Sequence, residues 1–151
     1  MDYSGGYAVV LALHLLTVVF LVGPSAVAAV TSARHVRAGR AEALRDASRT
    51  TRLYTLATVV TVVLGSAMVG LGDIGDQWSM GDPWISASYA LWLVAVALTL
   101  ALVVPAQAQA ADALDAGQDA GAHAGRIAAG AGLATLAWAV IIVLMVFKPG
   151  A

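Results

Sequence analysis

The chain has no cysteine among its 151 residues, and only 11% of them are charged. Each shortage excludes something. Without cysteine there is no disulfide, no thiolate metal site and no cysteine nucleophile. The scarcity of charge excludes an ordinary soluble domain, in which about a quarter of residues are charged. A fold of this size is mostly surface, so its interior could not hide a chain that is 60% hydrophobic. Lipid must cover what water does not. A net charge of −1 gives no basic footprint, so no nucleic-acid partner is expected. The opening Met1-Asp2-Tyr3-Ser4-Gly5-Gly6 has no Lys or Arg, and is therefore not expected to be the start of a cleaved signal.

What the chain does have is four long apolar runs: 7–30, 53–71, 84–104 and 127–147. A spanning helix needs roughly 20 mostly apolar residues. It also satisfies its own backbone donors and acceptors, which hydrocarbon demands. The runs lack the period-two polar alternation of an outer-membrane barrel. The expectation is an all-α, four-helix transmembrane bundle in a single membrane domain over 1–151. Gly23-Pro24 predicts a kink in the first span. Asp82-Pro83-Trp84 reads as cap, first-turn proline and interfacial aromatic at the start of the third, which closes near Pro105.

Six of the eight basic residues, Arg34, Arg37, Arg40, Arg45, Arg49 and Arg52, fall between the first two runs. Cytoplasmic loops are the Lys/Arg-rich ones, so this segment is expected inside and both termini outside, in a bacterial inner membrane. The segment with Asp73, Asp76 and Asp82 then lies outside, with Trp78 and Trp84 at the interface. Between the spans the sequence predicts little: a short amphipathic helix over 39–52 with Glu42–Arg45 and Asp46–Arg49 pairs, an alanine-rich extension over 106–116, and a Gly/Ala linker over 118–125. Arg34, Arg37 and Arg40 are candidates for anionic lipid headgroups, or serve only to set topology.

His14 is the one ionisable residue, tyrosines aside, inside any of the four runs. An ionisable group in hydrocarbon is costly, and is expected to face the bundle and find a partner. It lies about 10 Å along the first span. Ser66, Tyr89, Trp92 and Ile141 fall at similar depth. Three uses are open: a neutral ring hydrogen-bonded to Ser66, Tyr89 or a carbonyl; a haem or metal ligand; or a proton relay. Met68, Met80 and Met145 fall at the same end, and with His14 could form a soft site for haem iron or Cu(I), or simply fill gaps in packing. Gly65, Ser66, Ala67 and Gly70, with Ala128, Gly132 and Ala137, are expected to allow close helix approach. His35 and His123 are expected to be solvated. The spans contain no carboxylate, so neither a buried acid/base pair nor a Ser-His-Asp arrangement is available.

The stretch Ala12-Leu13-His14-Leu15-Leu16, then Phe20-Leu21-Val22-Gly23-Pro24 and Arg34-His35, resembles the first helix of CopD-like membrane proteins. That group includes copper-resistance proteins, four-helix haem-binding protoporphyrinogen oxidases and the family called domain of unknown function 2269. The last is the nearest resemblance, through Trp84-Ile85-Ser86-Ala87-Ser88-Tyr89, Val104-Pro105-Ala106-Gln107 and Met145-Val146-Phe147-Lys148-Pro149. In the oxidases a first-helix histidine binds haem and a third-helix lysine is essential. His14 matches the first. Residues 84–104 contain no lysine and no histidine, so the second position is missing; the resemblance then speaks against the oxidase chemistry and leaves open haem b held by His14 with Met, water or no sixth ligand.

Two readings follow. In the first, this is a small membrane protein that binds haem b or a metal through His14, with Met68, Met145, Tyr89 and Ser66 around the group, in a redox or cofactor-handling role. In the second, it is a non-catalytic accessory or scaffold subunit of a membrane complex, with a membrane-protein partner or a second copy of itself.

Overall fold

The computed structural model describes residues 5–71 and 78–149, and is helical nearly throughout them. Asp73 and Asp76 of the expected acidic turn lie outside the described residues. Four helices are long and apolar enough to cross a membrane: α1 (Gly5–Arg37), α2 (Ala41–Gly70), α3 (Pro83–Asp115) and α4 (Gly121–Phe147). They form an up-and-down bundle in which each helix packs on its neighbours in the ring α1–α2–α3–α4. The outward faces carry the large apolar side chains. Val19, Phe20, Leu53, Leu136 and Val146 are all 60% or more exposed, as befits groups that meet acyl chains rather than water.

The helices run well past the apolar stretches that define them. A helix of 33 residues is about 50 Å long, against a hydrocarbon core of about 30 Å. The segment expected as an arginine loop is a three-residue turn, Ala38–Arg40, with Gly39 at φ 65°. Of the six arginines only Arg40 lies in the turn; Arg34 and Arg37 stand on the end of α1, and Arg45, Arg49 and Arg52 on the start of α2. Likewise the linker expected over 118–125 is already helix from Gly121. The expected Glu42–Arg45 pair does not form. Arg45 instead bridges to Asp112 and Asp115 on α3, tying together helix ends that sequence-local pairing could not connect.

Both internal prolines are carried inside continuous helices. Each follows one turn of π-helix, Val18–Val22 before Gly23-Pro24 and Thr99–Val103 before Val104-Pro105. A proline lacks the donor for the turn before it, and a wider turn accommodates both the missing bond and the ring. This is why α3 does not close at Pro105.

The two halves of the bundle pack differently. Toward the arginine end, hereafter the basic end, the core is made of Ala29, Ala33, Ala106, Ala110, Ala111 and Ala131 around Leu44, Val103 and Ile127. Small side chains let backbones approach, the usual basis of helix association in lipid. Gly130 marks the tightest point: a Cβ there would stand 2.9 Å from Val103 Cγ2. Gly132, expected in that role, faces open space. At the opposite end, which carries Trp78 and Trp84, α1 pairs with α2 and α3 with α4, and direct backbone approach between the two pairs is sparse.

A row of buried hydroxyls on α2 runs between the two halves: Thr51, Thr55, Thr58 and Thr61, spaced by four, three and three residues and so on one helix face. Each level meets a polar group from another helix. Gln107, fully buried, donates to Ser32 Oγ at 2.7 Å and to Thr51 Oγ1 at 3.3 Å. Ser25 and Thr55 share a hydrogen bond of 2.7 Å. Trp92 Nε1 donates to Thr58 Oγ1 at 3.1 Å.

Candidate functional site

The last level of that row holds His14. Its Nδ1 lies 2.9 Å from the carbonyl oxygen of Thr61. A carbonyl only accepts, so the proton resides on Nδ1 and the lone pair on Nε2. Nε2 has no hydrogen-bond partner among the described residues. The ring is half-buried and turned to α2 rather than to the outer wall. What makes room for it is Gly65, one turn on from Thr61. A Cβ at that position would stand 3.0 Å from His14 Cε1.

His14 lines a cavity of about 370 Å³ between the two helix pairs. Its walls are apolar and aromatic: all four tryptophans of the chain, Trp78, Trp84, Trp92 and Trp138, reach it. Ser66, Met68, Tyr89 and Met145 also line it, so the residues expected around His14 are brought to one place. Ser66 gives its proton to the Val62 carbonyl. The Tyr89 hydroxyl therefore donates to Ser66, a bond that crosses from α3 to α2 and closes that side. Met80 does not line the cavity, but its sulfur lies 3.9 Å from the Tyr89 oxygen. On the α1/α4 side, Leu15, Ile142 and Val146 are at once cavity wall and lipid-facing surface, at 50–69% exposure.

Several lining residues carried no signal in the sequence reading. Thr61 supplies a backbone carbonyl, which no side-chain pattern announces. Among the described residues its own hydroxyl, buried, has no partner, nor has the buried Nε1 of Trp84. Lys148 is the chain's single lysine. It follows α4 in a left-handed conformation, φ 44°, with its N–H on the Leu144 carbonyl at 2.8 Å. That turn carries the side chain back over the cavity mouth, with Nζ 3.7 Å from the Trp78 ring centre. Trp78 in turn meets Trp84 edge to face at 5.6 Å. Burial among these groups holds the ammonium pKa below its ordinary value.

The description "Predicted integral membrane protein (DUF2269)" matches residues 8–149, nearly the whole chain. The protein belongs to the DUF2269 family. No curated protein matches it, and no solved structure does. The family description gives a membrane protein and assigns no ligand, so the chemistry of this DUF2269 protein has to come from its own residues.

Those residues discriminate between kinds of metal site. Among the described residues no group of three or more His, Cys, Asp or Glu could hold a bare ion. One imidazole with thioethers nearby is a poor cage for a metal that needs several protein ligands. Haem brings its own equatorial nitrogens and asks the protein for one or two axial ligands, an apolar slot and, in many proteins, a histidine whose far nitrogen is anchored. His14, with Nδ1 held by Thr61, fits that need, and Met145 or Met68 offers a thioether on the same cavity. Arg34, Arg37 and Arg40 are exposed at the opposite end of the DUF2269 bundle and take no part in this site. His123, expected to be solvated, is half-buried there with an unpartnered Nδ1.

Proposed function

We propose that this protein binds haem b in the cavity at the tryptophan end of the bundle, with His14 Nε2 as the axial ligand, in a redox or cofactor-handling role in a bacterial inner membrane. The observation that carries the reading is the anchoring of His14. An imidazole in hydrocarbon needs one good partner to be tolerated. Here that partner fixes the tautomer which leaves Nε2 free to ligate.

The protein's contribution would be positional. Thr61 holds the ring plane, Gly65 keeps its edge clear, and the aromatic walls exclude water. When bound, haem would supply one-electron chemistry, whose potential is set by the axial ligands and by burial. The positive-inside rule supports an orientation with the basic end in the cytoplasm and both termini, with the cavity, on the opposite side.

The test is an absorbance spectrum with metal analysis on detergent-solubilised protein from haem-replete cells. A Soret band that His14→Ala abolishes, with the fold retained, is the expected result. Colourless, iron-free protein from such cells removes the haem reading. The accessory-subunit reading then takes its place, with the Thr61 bond serving simply to satisfy a packed histidine.

A further inference from the structure

The cavity is mostly apolar, with His14 in its wall and a cation at its mouth. Lys148 reaches over it from the end of α4, and among the described residues no carboxylate pairs with the ammonium. The ammonium rests instead on the face of Trp78, which satisfies the charge weakly and leaves its N–H donors available. Beside Trp78 stands Trp84, 4% exposed, whose indole N–H has no acceptor among the described residues. A buried donor left unpaired costs free energy, and such groups in native structures call for an explanation. A cation without a carboxylate and, one tryptophan away from it through Trp78, a buried indole N–H without an acceptor lie at one end of a chamber whose walls are mostly apolar. That end complements a molecule with an apolar body and an anionic head.

We propose that Lys148 and Trp84 form a carboxylate-receiving subsite, so that the ligand class of this cavity is the amphipathic carboxylate. Lys148 supplies the charge, and Trp84 Nε1, buried beside the cavity, adds a second donor once a small turn of the indole opens it to the ligand. The four tryptophans and the aliphatic walls take the apolar body, which enters from the bilayer on the α1/α4 side, where Leu15, Ile142 and Val146 separate cavity from lipid. The inference rests on the cavity being a ligand site, as the haem reading has it, and adds what recognises the ligand's polar end. It does not need iron, because neither donor touches His14.

The test therefore uses an iron-free ligand. The full chain in phosphatidylcholine nanodiscs is titrated with protoporphyrin IX and with its dimethyl ester, and in parallel with the fluorescent fatty acid cis-parinaric acid and its methyl ester. Quenching of tryptophan emission is the readout, and empty nanodiscs are subtracted. At least one free acid is expected to bind about tenfold more tightly than its own ester, the scale of one well-placed charged contact. Lys148→Met should erase that preference, Lys148→Arg should retain it, and Trp84→Phe should reduce it. Acid and ester binding alike, preference surviving in Lys148→Met, or no binding above empty nanodiscs for either pair would each overturn the proposal. The two readings fail separately: acid preference in a protein without a Soret band keeps the subsite and removes the haem. A Soret band with no acid preference does the reverse.

Discussion

His14 Nδ1 and the Thr61 carbonyl, 47 residues apart in sequence and 2.9 Å apart in space, form a bond that sets which imidazole nitrogen can act. Gly65 is the residue that permits it. Adding a methyl group there places a carbon 3.0 Å from His14 Cε1, closer than ordinary contact, so the ring must give by a few tenths of an ångström and the Thr61 bond is displaced from its present geometry. Loss of an orienting partner at a ligating histidine weakens metal binding by about 10–100-fold. Gly65→Ala should therefore lower haem affinity by at least about tenfold in a haem titration, while the helix-propensity gain keeps the protein folded. Unchanged affinity in a folded variant would mean that ring orientation does not matter at this site.

The contact at Gly130 makes a separate, structural prediction. Its added Cβ would meet Val103 Cγ2 at 2.9 Å and Leu102 Cδ2 at 3.0 Å, whereas Gly132 faces open space. Overpacking costs about 1–3 kcal/mol, partly offset by about 1 kcal/mol of helix propensity. Gly132→Ala has the second contribution without the first. Equilibrium unfolding in mixed detergent micelles should place Gly130→Ala below Gly132→Ala in stability by about 1–3 kcal/mol, since the propensity gain is common to both. The reverse order would show that the α3–α4 crossing is looser than the backbone distances require.

The fold was legible in the sequence because hydrocarbon imposes a rule that local composition obeys: four apolar runs became four helices. Helix ends were not legible. Apolarity marks where lipid is, and a helix does not stop where lipid stops, so the short helix expected over 39–52 is not separate but continuous with the second span as α2 from Ala41. The alanine-rich extension expected over 106–116 is present, but Pro105 does not close the span before it, because a π turn absorbs the missing donor and no residue pattern signals one. At the site, His14 stood out because charge in lipid is rare. Ser66, Tyr89, Met68 and Met145 followed from depth counting, since straight antiparallel helices keep level residues level. Thr61, a backbone acceptor, and Lys148, turned inward by its left-handed backbone, belong to three-dimensional geometry that spacing along one chain does not encode.

Gln107 tests what holds the basic half together. Its side chain is fully buried and donates to Ser32 and Thr51, while its carbonyl oxygen has no partner. Hydrogen bonds between membrane helices are worth about 0.6 kcal/mol on average, so losing two is a small cost, and losing the unpaired oxygen is a gain. Gln107→Leu should stay within about 1 kcal/mol of the parent protein. Gln107→Ala removes volume among tightly packed alanines and should cost about 2–3 kcal/mol. Unfolding curves for the two variants decide it. If both lose equally, the polar bonds matter more than the packing.

Orientation can be read directly, because a chain without cysteine accepts single labels cleanly. Ala38 lies in the exposed turn at the basic end, beside Arg37 and Arg40, and Ser79 is exposed at the tryptophan end. Lys and Arg near span ends are retained on the cytoplasmic side, and three arginines within a few residues of that turn give the first hairpin a strong bias. In intact spheroplasts, Ser79→Cys should react with a membrane-impermeant maleimide and Ala38→Cys should react only after lysis. The opposite pattern would put the His14 cavity near the cytoplasmic face, and any carboxylate or haem reaching it would then have to arrive from inside the cell.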